Sequence, residues 1–263
     1  MTGTPGVTTE ERSGRWLALL GALGTVAVLL GAWSLAVAAG VSAFVLPPPG
    51  AVASAFAALV RDRATWGHVG ITAIEVVGGF GIALAAGVVV GVALGRLRRL
   101  EQAVRPALVA LQVVPKIALV PIFVLWFGFG PTSKIVLAAL LAFLPIMLNV
   151  LLGVRSVDPG HRDVLRQLGA SRWAVLRSLD LPTAAPAVLT GAETAVVFAV
   201  IGAVIGEFLG GSAGLGYLVV VAMNALDTPR MFAAIGLLTL LGVLLHSAVA
   251  GARRLLVPWH TSA

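Results

Sequence analysis

Long apolar runs separated by short polar, proline-rich or glycine-rich breaks set the pattern of this chain. Six runs, at about residues 16–40, 71–95, 106–129, 135–154, 187–209 and 231–250, carry few charges. Each approaches or exceeds the roughly 20 residues a helix needs to cross about 30 Å of hydrocarbon. The first run contains Ala36-Val37-Ala38, which has the form of a signal-peptidase site. The run is far longer than a signal core of roughly 7–15 residues, so it is read as a retained span. Leu46-Pro47-Pro48-Pro49-Gly50 breaks the chain before a short interfacial helix at 51–60. In the second run Gly87, Gly91 and Gly95 recur every fourth residue, a spacing that lets another helix approach closely. Pro115 and Pro121 interrupt the third run around Lys116, Pro145 lies within the fourth, and the glycine-rich stretch 210–225 reads as re-entrant or interfacial. The expectation is an all-α, polytopic integral membrane protein. Its single transmembrane domain covers 16–252, with polar tails at 1–15 and 253–263.

The longest polar interruption is the loop 155–182. Within it, Val164, Leu165 and Leu168 fall on one side at helical spacing, as do Trp173, Leu176 and Leu179 beyond Gly169. Ser171 is placed to cap the second piece, and Leu181-Pro182 is expected to end it. Two short amphipathic helices joined by a glycine turn therefore lie on a membrane surface.

Composition and charge sharpen this picture. Of the 263 residues, 59% are hydrophobic and only 11% charged, against about 25% charged in soluble domains. The net charge of +7 would suit nucleic acid, but the placement of the charges points elsewhere. Thirteen arginines fall in segments on one side: Arg12 and Arg15; Arg96, Arg98, Arg99 and Arg105; Arg155, Arg162, Arg166, Arg172 and Arg177; Arg253 and Arg254. Four cations, Arg61, Arg63, Lys134 and Arg230, fall on the other, and Lys116 is left inside the membrane. Positive loops stay in the cytoplasm, so both termini and the loop 155–182 are expected there.

Cysteine is absent, which excludes disulfides and thiol chemistry. The four histidines are scattered and suggest no metal site. There is no Gly-Lys pair, so no P-loop, and there is no HExxH motif or nucleophile elbow. An enzyme reading has no constellation to rest on, and no cofactor is expected.

Several strings carry a resemblance. Gly169-Ala170-Ser171-Arg172-Trp173, followed by Leu179-Asp180-Leu181-Pro182, resembles the signature loop of bacterial ABC-importer permease subunits. That pattern opens with Glu-Ala-Ala, where this chain has Asp163-Val164-Leu165. Leu46-Pro47-Pro48-Pro49, Pro115-Lys116-Ile117-Ala118-Leu119-Val120-Pro121, Trp126-Phe127-Gly128-Phe129-Gly130, Gly206-Glu207-Phe208 and Gly214-Leu215-Gly216-Tyr217 are similar to the nitrate/sulfonate/taurine branch. That branch also includes carriers of pyrimidine thiamine precursors. The resemblance implies the type I importer permease fold in a bacterial inner membrane. It also implies a second copy or a related permease, two cytoplasmic ATPase subunits that bind the ATP, and an extracytoplasmic substrate-binding protein. Asp163, Leu168, Gly169, Ala170, Ser171, Arg172, Trp173, Leu181 and Pro182 would form the loop that docks on the ATPase, and the solute would be small and anionic or a pyrimidine precursor. The competing class is an ion-coupled secondary transporter using intramembrane charges.

Those charges are Glu75, Lys116, Glu193 and Glu207. Lys116 lies about ten residues, or roughly 15 Å, into its run, where an unpartnered charge costs at least about 2.5–3.5 kcal/mol. Glu193 lies roughly 10 Å deep from the same side. Two expectations follow: an ion pair of Lys116 with Glu193, which the similar depths favour, or a Lys116 that lines the solute pathway.

Overall fold

The computed structural model describes residues 9–257, with side chains from Gly24 onward and at Gly21; the polar tails 1–8 and 258–263 lie outside the described residues. All its regular elements are helical: α1 (Thr9–Ala38), α2 (Pro49–Arg61), α3 (Arg63–Arg96), α4 (Arg98–Val113), α5 (Val120–Phe127), α6 (Pro131–Arg155), α7 (Pro159–Gln167), α8 (Arg172–Val175), α9 (Leu181–Gly210), α10 (Leu215–Asn224) and α11 (Thr228–Leu256). Local chemistry sets several boundaries. The Asp62 carboxylate accepts from Ala64 N–H (3.0 Å) to start α3, and Asp227 accepts from Arg230 N–H (3.1 Å) to start α11. Proline opens α2, α6 and α7, where its missing N–H is of no consequence.

Central to the packing is α6, buried between α3 and α9. The glycine stripe of α3 serves that contact. A Cβ on Gly87 would fall 2.7 Å from Ile146 Cγ2, and one on Gly91 would fall 2.7 Å from the Met147 carbonyl oxygen. Gly202 of α9 does the same from the other side, 2.6 Å from Ala138 Cα. Val76, Ala83, Ala138, Ala142, Ile146, Val150, Ala195 and Ala199 fill the resulting core. A second cluster, with Leu59, Leu215, Val219, Leu237 and Leu241, joins α2, α10 and α11.

Among the described residues, four helices are long and apolar enough to cross a membrane: α3, α6, the continuous α8–α9 rod and α11. A further pair, α4 and α5, reaches that length only when the two are taken together. Between α4 and α5 the chain turns by 86° through a short 3-10 turn, Lys116–Leu119. The expected third span at 106–129, interrupted at Pro115 and Pro121, falls on this bent pair, and Pro115, without an N–H, lies at the break. The first expected span, 16–40, falls on α1 (Thr9–Ala38).

The structure corrects the reading of Pro182. It does not end the short helix of the loop. The rod runs from Arg172 to Gly210 through a widened, π-type turn, Leu176–Asp180, and Pro182 sits in the first turn of α9. Widening the turn relieves the clash of the proline ring with the carbonyl four residues back.

Candidate functional site

The polar loop is a built lever. Helix α7 begins at the Asp158 cap, whose carboxylate accepts from Gly160 N–H (2.7 Å). It ends at Gly169, where φ is +81°. Ala170 N–H donates to the Leu165 carbonyl (3.0 Å) and Gly169 N–H to that of Arg166 (3.0 Å). This paired closure needs a left-handed residue, which glycine supplies without steric cost. No heavy atom lies near the missing Gly169 side chain, so the backbone conformation alone demands glycine. Ser171 then caps α8 by accepting from Ala174 N–H (3.1 Å), as the sequence indicated.

The loop is fixed by a residue the sequence reading passed over. Asp180 occupies the unassigned position before Leu181-Pro182 and is fully buried. One carboxylate oxygen accepts from Arg162 Nε (2.8 Å), and the other faces Arg96 at Nε (2.9 Å) and Nη2 (2.8 Å). Arg162 also donates to the Val154 carbonyl (2.6 Å), and Arg96 to that of Arg172 (3.2 Å). One carboxylate thus ties α3, α7 and the α8–α9 rod together. Beyond this anchor, Leu168 (78% exposed) and Trp173 (67% exposed) are apolar side chains that nothing among the described residues covers. Asp163 makes only an exposed pair with Arg166 (3.4 Å), worth little by itself.

The intramembrane charges sort differently from the sequence expectation. Lys116 and Glu193 do not pair. Glu193 binds Arg253 (3.0 Å), near the end of α11, and Lys116 Nζ donates to the Gln112 carbonyl (3.3 Å), with Lys116 half-buried at the α4–α5 elbow. The buried pair is Lys134 with Glu75 (3.4 Å). Lys134, counted in the sequence as an outer-loop cation, is only 3% exposed. Gly206 makes its room, since a Cβ there would lie 2.8 Å from Lys134 Cγ. Among the described residues neither Glu75 oxygen receives a hydrogen bond, so the ion pair is its one compensation.

Glu207 has a separate task. Its carboxylate accepts from Gly216 N–H (2.5 Å) and from Thr72 Oγ1 (2.6 Å), and Leu215 N–H donates to that same Thr72 oxygen (2.8 Å). Gly214 N–H donates to His68 Nδ1 (3.0 Å). A carboxylate at the N-terminus of α10 satisfies orphan amides and complements the helix dipole. Gly214 has φ +110°, and a Cβ there would run into the Glu207 carboxylate. The glycines of Gly214-Leu215-Gly216-Tyr217 therefore admit a carboxylate that staples α10 to α3 and α9. Of the four charges proposed for an ionic relay, Glu75 and Glu207 are neighbours beside Lys134, whereas Lys116 and Glu193 have other partners.

Comparison with known proteins agrees with this architecture. Residues 83–256 match the family model described as the binding-protein-dependent transport system inner membrane component. The chain is 39% identical over 239 residues to the riboflavin transport system permease protein of Chloroflexus aurantiacus, covering 90% of this chain and 89% of that one. It is 39% identical over 182 residues to the formylaminopyrimidine transport permease protein of Halalkalibacterium halodurans, with 68% and 73% covered. With the taurine transport system permease protein of Escherichia coli it shares 32% over 244 residues, with 90% and 89% covered. Among solved structures, the inward-facing MetNI methionine ABC transporter contains a chain of the same fold, with TM-score 0.59 and 21% identity, covering 73% of this chain and 94% of that one. The chain belongs to the family of binding-protein-dependent transport system inner membrane components, the permease subunits of ABC importers.

Proposed function

We propose that this chain forms the solute pathway of an ATP-driven importer and receives its driving force through the loop 155–182. The observation that carries this reading is the anchored lever. An apolar face at Leu168 and Trp173 projects from a loop whose base is locked to two membrane helices through Asp180. A partner that seats this face and moves it displaces α3 and α9 with it. In this reading the partner is a cytoplasmic ATPase subunit, which holds the ATP. Two copies of the chain, or this chain and a related permease, meet two ATPases on one side and a substrate-binding protein on the other. Both termini are cytoplasmic, and the chain crosses six times, with α1 as the first crossing.

The solute is small. The named relatives are permeases for riboflavin, formylaminopyrimidine and taurine, which favours an anionic or planar nitrogen-containing solute here. We assign Lys116 to the pathway. It stands at a bend where backbone carbonyls are freed, and irregular backbone at membrane depth is tolerated where it lines a cavity.

The test is uptake by proteoliposomes holding this chain, its ATPase and its binding protein. Wild-type uptake requires ATP and the binding protein. Lys116→Met assembles and keeps basal ATP hydrolysis, but its uptake falls by about tenfold or more, the loss of one charge-assisted contact. Normal uptake by Lys116→Met refutes the pathway assignment, and ATP-independent uptake down an ion gradient refutes the importer reading.

A further inference from the structure

Beneath the exposed face of the loop lies a cavity of about 840 Å³ between the end of α3, helix α7 and helix α8. Arg96, Arg162, Arg166 and Arg172 line one part of it, and Val89 and Leu97 line another. Leu168 and Trp173, the exposed apolar face, are not among its walls, although Ala170 and Arg172 of the same loop are.

Its charge is unbalanced. Asp180 answers Arg96 and Arg162 together, leaving one positive charge over. Arg166 meets Asp163. The Arg172 guanidinium has neither an ion pair nor a hydrogen bond among the described residues. The cavity therefore carries an excess of about two positive charges, from guanidiniums whose planar forks suit phosphate oxygens.

Its position is equally specific. Val89, two turns before the end of α3, and Leu97, the residue just after it, are exposed where a crossing helix would leave the hydrocarbon. A pocket that is cationic on its loop wall and apolar on its membrane wall matches a lipid whose headgroup is anionic and whose chains remain in the bilayer. A free phosphate would use the arginines and leave the apolar wall idle.

We propose that this cavity binds the phosphate of an anionic phospholipid, which bridges the end of α3 to the coupling loop. The lipid completes the arginine cluster and makes the loop sensitive to the charge of the inner leaflet.

The experiment uses the full-length chain purified in detergent. Short-chain phosphatidylglycerol, phosphatidylcholine of the same chain length, and inorganic phosphate are titrated separately, with binding read by native mass spectrometry and thermal unfolding. Phosphatidylglycerol is expected to bind at least about tenfold more tightly than phosphatidylcholine, and inorganic phosphate at matched concentration to have no effect. Arg166→Gln and Arg172→Gln are each expected to weaken phosphatidylglycerol about fivefold, the share of one basic residue near an anionic surface. Arg172→Lys is expected to keep most of the affinity. Should the glutamine variants fail to fold, a salt titration of the wild type decides, because phosphatidylglycerol binding must weaken with ionic strength while phosphatidylcholine binding does not. Equal affinity for the two lipids overturns the proposal. So does stabilisation by inorganic phosphate equal to that by lipid, or undiminished phosphatidylglycerol binding by a folded Arg166→Gln/Arg172→Gln double variant.

Discussion

Replacing Asp180 by asparagine removes the charge that holds the loop while keeping its shape. The carboxylate is fully buried and binds two guanidiniums at 2.8–2.9 Å, and those two side chains are themselves 28% and 21% exposed. Breaking a buried pair on one side costs about 3–5 kcal/mol, because the charge left behind is uncompensated. Here Arg96 and Arg162 both border an open cavity and regain water, so the low end applies. About 3 kcal/mol of local opening free energy corresponds to roughly a 150-fold rise in the opened population. Limited trypsin digestion reads this directly, since Arg166, Arg172 and Arg177 are all in the loop. When opening and closing are fast relative to cleavage, the rate follows the opened fraction. Cleavage in the loop of Asp180→Asn is expected to rise by about two orders of magnitude. Asp163→Asn, which breaks an exposed pair, should stay within about threefold of wild type. A rise of less than about fivefold in a correctly inserted Asp180→Asn protein would show that the loop is held by something other than this carboxylate.

Two further outcomes follow from the same contacts. Lys134→Met leaves Glu75 buried without compensation and is expected to lower stability by about 3–5 kcal/mol in detergent unfolding, whereas Lys134→Met with Glu75→Leu recovers most of it. Gly169→Val forces a β-branched residue to φ +81°, a cost of about 1–3 kcal/mol confined to the loop. The variant should reach the membrane, but co-purification of the ATPase and uptake should fall together.

Much of this was legible in the sequence, for physical reasons that differ residue by residue. Uninterrupted apolar runs gave α3, α6, α9 and α11 because a helix in lipid has no other way to satisfy its backbone. Ser171 and Gly169 were readable because a cap and a left-handed turn admit few residue types. Asp180 was not, since nothing local distinguishes it: its partners Arg96 and Arg162 are 84 and 18 residues away. Depth along a straight helix paired Lys116 with Glu193, but the 86° bend after α4 defeats any estimate that counts 1.5 Å per residue. Lys134 was misplaced because it begins a span and looks like a loop residue, and only Gly206 on another helix reveals the room for its stem. Glu207 was singled out for its charge within an apolar run, and it is buried on α9. Its work as the staple of α10 depends on Thr72 and Gly216, which the chain order sets far apart or disguises as a turn.

The most direct test of the importer reading places a single thiol on the loop. The chain has no cysteine, so Ser171→Cys provides a unique one. In intact cells an impermeant maleimide added outside should leave it unmodified, while in inverted vesicles it should react. A short thiol cross-linker in the assembled transporter should then join this residue to an ATPase subunit. Labelling from the outside of intact cells, or an assembled complex in which the ATPase is never captured from this position, would contradict the assignment of the loop as the site of coupling.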